Sequence, residues 1–146
     1  PERISDKTQI ARELYAPAYI SLESALSHYG LLPDVPFAMT LVTPKATRNF
    51  QTSFGKFIFH TLKSSLFWGF DPETLMGERE KVVLDFFYLN SHSLKPTPAF
   101  WESQRWQNLQ ELDFEKLKSY ASKMKLVKVN KLIRSLETYR RKNGNS

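Results

Sequence analysis

Asp85 stands in the most apolar stretch of the chain, residues 77–89, flanked by Leu84 and Phe86. A carboxylate buried there without a partner costs roughly several kcal/mol or shifts its pKa until it is neutral. Lys81 lies at i−4, the spacing that brings an ammonium and a carboxylate together on one helix face. A tyrosine hydroxyl or a backbone N–H from elsewhere could complete the set of donors. Two readings stay open: Lys81 and Asp85 as a structural polar anchor, or Asp85 as a functional group.

Most other reactive spacings are missing. A metal-dependent nuclease of the restriction-enzyme type needs an acid and then Glu-x-Lys on a strand, so that both carboxylates and the lysine meet one phosphate and one metal. In Glu78-Arg-Glu80-Lys81 the position two before Lys81 is Arg79, and the segment reads as helix. His28, His60 and His92 lie far apart, outside any His-x-x-x-His or Glu-x-x-His spacing for zinc. No Gly-x-x-x-x-Gly-Lys phosphate loop and no Gly-x-Ser-x-Gly elbow occur. These absences argue against an enzyme, and no metal or cofactor is expected.

The remaining signal is cationic. The net charge of +6 is uneven: residues 1–111 carry 11 basic and 12 acidic side chains, whereas 112–146 carry 10 basic and 3 acidic. In the last predicted helix Val129, Leu132, Ile133, Leu136 and Tyr139 make an apolar stripe, while Lys128, Lys131, Arg134, Thr138, Arg141 and Lys142 recur at i+3 or i+4 on other faces. Such a helix buries one side and presents a basic ridge suited to phosphates, which adds affinity without reading sequence. A solubilising face is the bland alternative; contact with DNA or an acidic partner is the functional one.

The elements that must position these groups follow from the pattern. At 146 residues and 41% hydrophobic the chain fits one domain with one core. A short helix over 6–15, capped by Ser5 or Asp6, ends before Pro17. Ser21 is placed to cap a second helix whose stripe is Leu22, Ala25, Leu26 and Tyr29, with Gly30 as its left-handed terminator. Ser24 and His28, four apart, read as a solvated face. Residues 37–43, 48–52, 55–62 and 66–70 read as a meander of four strands. Residues 77–89 read as a central helix apolar nearly all round, 99–108 as a helical turn or loop, and 113–124 and 128–142 as two helices. The expected class is therefore α+β, an antiparallel sheet packed against a central apolar helix with further helices at both ends. No apolar run approaches the roughly 18–20 residues of a membrane span, no signal-peptide pattern is present, and cysteine is absent, so a cytoplasmic protein without membrane contact is expected.

Three blocks, in order and at matching spacing over about residues 15–89, resemble the AbiEi-type antitoxins, described as transcriptional regulators of viral-defence systems. Tyr19-Ile-Ser-Leu-Glu-Ser-Ala-Leu-Ser-His-Tyr-Gly-Leu-Leu-Pro33 resembles the family's YxSxxSALxxxGLxP helix. Thr43-Pro-Lys-Ala-Thr-Arg-Asn-Phe50 with Phe54-Gly-Lys-Phe57 is similar to its hairpin. Glu80-Lys-Val-Val-Leu-Asp85 through Tyr88 resembles its EKALLDxxY helix. Val82 departs from an expected Ala, and Arg79 from a frequent Pro.

The resemblance implies an antitoxin and autorepressor of a type IV toxin–antitoxin system, acting in abortive infection and phage defence against a nucleotidyltransferase toxin. It also implies an N-terminal winged-helix domain that binds operator DNA ahead of the present region. The chain opens on Pro1 rather than Met, so it is expected to be part of a longer protein that carries that domain, with residues 1–146 one antitoxin-like domain and 113–142 its basic helical part. The competing readings are a stand-alone nucleic-acid-binding protein that uses the basic helices, and an enzyme with an unfamiliar site.

Overall fold

Apolar periodicity in several segments becomes helix, and the β-favouring residues of 38–61, joined by 19–20, become a small sheet. The computed structural model describes residues 4–143. In chain order the elements are α1 Ile4–Leu14, β1 Tyr19–Ile20, α2 Leu22–His28, β2 Ala38–Thr43, β3 Arg48–Thr52, β4 Gly55–Thr61, α3 Arg79–Leu89, α4 Pro98–Gln104, α5 Phe114–Lys123 and α6 Val127–Asn143. The class is α+β, as the sequence implies.

The sheet departs from the expected antiparallel meander. Its order is β1-β2-β4-β3, with β1–β2 and β3–β4 antiparallel but β2–β4 parallel, so it is mixed. After Thr43 the chain crosses the end of the sheet to the outer edge, runs back as β3, and turns at Ser53-Phe54 so that β4 slots between β2 and β3. Burial explains the order. Every residue of β2 is buried, as a strand covered on both faces must be, whereas polar β3 is largely exposed and suits an edge. Phe57 and Phe59 of the inserted strand are fully buried, on the alternation the sequence displays.

Two further expectations are corrected. Residues 66–70 are not a strand: Ser64–Leu66 is a 3-10 turn and only Phe70 bridges, to Gly77. The fourth strand is instead Tyr19–Ile20, which pairs with Val42 and Leu41 and whose backbone also bonds Leu75 and Gly77. Ser5 and Asp6 lie inside the first turn of α1 rather than ahead of it.

The C-terminal half is helical and locally well specified. Thr97 and Asp113 cap α4 and α5 by accepting from Phe100 N and Lys116 N, and Pro98 occupies the first turn of α4 where its missing N–H is harmless. α3 is buried from Glu80 to Phe87 and packs against α2, α5 and α6. Its Phe87 ring lies 5.6 Å from Trp101 and 5.8 Å from Trp106, and Trp101 Nε1 donates to Ser135 Oγ on α6 at 2.8 Å, which ties α3, α4 and α6 together. Among the described residues no helix is long and apolar enough to cross a membrane.

Candidate functional site

Two groups of residues answer to the sequence reading, one sealed in the core and one on the surface. In the core, Lys81 and Asp85 point from α3 toward the β1–α2 junction. Lys81 Nζ donates to Asp85 Oδ1 at 2.6 Å, to Tyr19 OH at 2.8 Å and to the Leu66 carbonyl at 2.7 Å. Three ammonium protons thus meet three acceptors. Asp85 Oδ2 accepts from Tyr19 OH at 2.5 Å and from Ser21 Oγ at 2.9 Å. The side chains of Lys81 and Asp85 are 0% and 1% exposed, so no substrate in solvent reaches them. Burial pushes the Asp85 carboxyl above its usual range and the Lys81 ammonium below its own, while their mutual contact opposes both shifts. Burial and the neighbouring Asp85 carboxylate likewise raise the Tyr19 phenol well above its ordinary value.

The 66–70 segment is shaped by this network. Gly69 adopts φ +81, and a Cβ there would lie 2.8 Å from Lys81 Cγ, so the chain wraps the lysine stem too closely for any side chain. Trp68 covers the ammonium from outside, its ring 4.8 Å away. A strand, whose side chains alternate, could not close over a lysine in this way.

Ser21, expected as a helix cap, occupies the N-cap position without capping, because its hydroxyl is committed to Asp85. Thr40 on β2 takes the capping role. Its Oγ1 accepts from Ser24 N at 2.9 Å and donates to the Ser21 carbonyl at 2.7 Å. Ser24 is buried rather than solvated. Its Oγ accepts from Thr40 N at 2.8 Å and donates to the Ala38 carbonyl at 3.1 Å, satisfying β2 backbone groups beyond the reach of the two-residue β1. His28 is exposed.

Sequence reasoning allowed for a tyrosine hydroxyl without naming Tyr19, and left Ser21 and Trp68 out of the network. A usable signal was present for the first two: in extended chain, residues two apart share a face, so Tyr19 and Ser21 turn the same way.

On the surface, α6 sorts its residues by face. At about 100° per residue, Lys128, Lys131, Arg134, Arg141 and Lys142 fall within an arc of roughly 140°. Buried Val129, Leu132, Ile133, Leu136 and Glu137 occupy the opposite arc. All five cations are exposed. Arg141 reaches Glu137 Oε1 at 3.5 Å, a carboxylate that also accepts from Lys118 at 3.1 Å, so part of its charge is already engaged. Arg140, Arg141 and Lys142 complement the negative end of the helix dipole.

The two groups do not meet: the anchor is enclosed between α3, β1 and the 66–70 turn, and the ridge lies on the outer face of α6. Among the described residues no group of three or more His, Cys, Asp or Glu side chains could hold a metal ion. No family model, curated protein or solved structure matches the chain.

Proposed function

We propose that this chain is a regulatory, non-enzymatic domain of the AbiEi antitoxin kind, working in the cytoplasm. It serves as a scaffold whose α6 ridge engages the phosphate backbone of operator DNA, and the whole protein counteracts a nucleotidyltransferase toxin. Operator sequence is read mainly by an N-terminal winged-helix domain of the longer protein. The observation that carries this reading is the α6 face: five exposed cations on one arc, with the opposite arc buried in the core. Cations held on one face of an anchored helix suit a polyanion, since their spacing is fixed before binding.

A second observation supports the resemblance. The motif residues Tyr19 and Ser21 of the first block bond directly to Asp85 of the third, and Lys81 joins them. Residues far apart in sequence are thus required together by one core, which makes the blocks a structural signature and leaves function to the surface.

The test is rescue of growth. Cells arrested by the nucleotidyltransferase toxin encoded beside this protein recover when the full-length protein is co-expressed. No recovery by a folded, full-length protein overturns the antitoxin reading.

A further inference from the structure

On a face that α6 does not line, a cleft of about 1060 Å³ opens between the middle of α1, the end of α2, the 68–78 segment and α5. Its volume lies at or beyond the upper end of the roughly 300–1,000 Å³ of small-molecule sites, which favours an extended guest. One wall is aromatic: Trp68 and Tyr120 meet edge to face, their centroids 4.9 Å apart and their planes at 89°, with Lys81 Nζ 4.8 Å from the first ring and Lys116 Nζ 6.0 Å from the second, and Tyr29 also lines the cleft. The charge is acidic. Asp71, Glu73 and Glu78 line the cleft, and no lysine or arginine does among the described residues.

Of the three acids, Glu78 is already engaged, by Tyr120 OH at 2.9 Å and by Lys116. Asp71 and Glu73 are exposed and meet no basic side chain within ion-pair distance among the described residues. Arg12 reaches their loop but donates to the Pro72 and Glu73 carbonyls, at 2.6 and 2.5 Å, rather than to a carboxylate. Asp71 Oδ1 accepts from Glu73 N at 2.8 Å, and Leu75 N donates to the Asp71 carbonyl at 2.7 Å. The acidic loop is therefore held in shape before any guest arrives, which lowers the ordering cost of binding.

Exposed carboxylates without an ion-pair partner, in a cleft with an aromatic wall, are complementary to the charged head groups and the alkyl stems of a basic segment. We propose that this cleft binds a basic peptide segment of a partner protein, with an arginine or lysine head group on the Asp71 and Glu73 carboxylates and the rest of the segment along the aromatic wall. This assignment does not rest on the antitoxin reading, since it concerns a different surface and the opposite charge. The chain's net charge of +6 makes it selective as an observation, because a cationic peptide is repelled by the molecule as a whole and held only where the local field is reversed.

Isothermal titration of the whole chain with a pentapeptide of alternating glycine and arginine, with its glycine–glutamate counterpart and with agmatine, tests the proposal. The arginine peptide binds, the glutamate peptide does not, and the exposed-site variant Asp71→Asn/Glu73→Gln, its fold checked by circular dichroism, loses about tenfold or more in affinity. Three results overturn the proposal: no heat with the arginine peptide, an affinity unchanged in the double variant, or agmatine binding as tightly as the peptide, which makes the cleft a small-cation pocket.

Discussion

Removing Asp85 while leaving Lys81 in place should be among the most destabilising single changes available in this core. In Asp85→Leu the ammonium keeps Tyr19 OH and the Leu66 carbonyl but loses its ion-pair partner in a site 0% exposed. Breaking a buried pair in this way costs about 3–5 kcal/mol. For a chain of this size each kcal/mol lowers Tm by roughly 2–4 °C, so the expected fall is about 6–20 °C. Lys81→Met strands the carboxylate instead, with the Tyr19 and Ser21 hydroxyls as its remaining donors. Burial already raises the Asp85 pKa and the lowering influence of Lys81 is gone in that variant. A folded-state pKa raised above the unfolded value gives stability at low pH that is lost as pH rises through it. Lys81→Met should accordingly be more stable in mild acid than above neutrality. The double variant Lys81→Met/Asp85→Leu removes both charges and leaves only neutral hydroxyls short of partners, at about 1–3 kcal/mol. Urea denaturation followed by tryptophan fluorescence yields all three values, and the sum of the single costs should exceed the double by about 2 kcal/mol or more. Additive single effects, or an Asp85→Leu midpoint equal to that of the parent, would refute the reasoning.

Other consequences follow from the same geometry. Gly69→Ala should cost about 1–3 kcal/mol, since its φ of +81 and the Lys81 stem 2.8 Å from the new Cβ both oppose it; a higher urea midpoint, the usual result at a permissive glycine, would contradict this. Because the Tyr19 phenol is held protonated by burial and by Asp85, its contribution is intact below the ordinary tyrosine pKa and falls by about 1.4 kcal/mol per pH unit above it. Alkaline titration should therefore find one of the chain's tyrosines silent at 295 nm until the protein unfolds. Thr40→Val should destabilise by about 1–2 kcal/mol and speed amide exchange at Ser24, as Thr40 rather than Ser21 caps α2.

The helices other than α4 and the strand segments in 37–62 were legible because each satisfies its pattern locally: an apolar stripe on α6, a full apolar circumference on α3, strict alternation at Phe57 and Phe59. The order of the sheet was not legible. Alternation reports which face a residue occupies and is silent on which neighbour it pairs with, so a short link after Thr43 reads equally as a hairpin or as a crossing to the far edge. Tyr19–Ile20 is too short for any periodicity, and its pairing is decided by Val42 and Leu41. The i,i+4 relation of Lys81 and Asp85 could be read from spacing alone, whereas Tyr19, Ser21 and the Gly69 wrap depend on tertiary placement. Ser21 misleads for a physical reason: one hydroxyl serves either the helix terminus or the buried carboxylate, and leaving a carboxylate short of donors is the costlier omission.

The ridge on α6 is the claim on which the functional account turns, and its salt dependence is the direct measure. Binding of duplex DNA should be followed across a range of salt for the parent and for a variant in which Lys128, Lys131, Arg134, Arg141 and Lys142 are all glutamine. Each cation that displaces a counterion contributes about 0.9 to the slope of log affinity against log salt. The account predicts a steep slope for the parent, equal for operator and scrambled duplex, and a slope shallower by about 3–4 in the variant with the fold unchanged. A slope and affinity that survive loss of all five cations would contradict it.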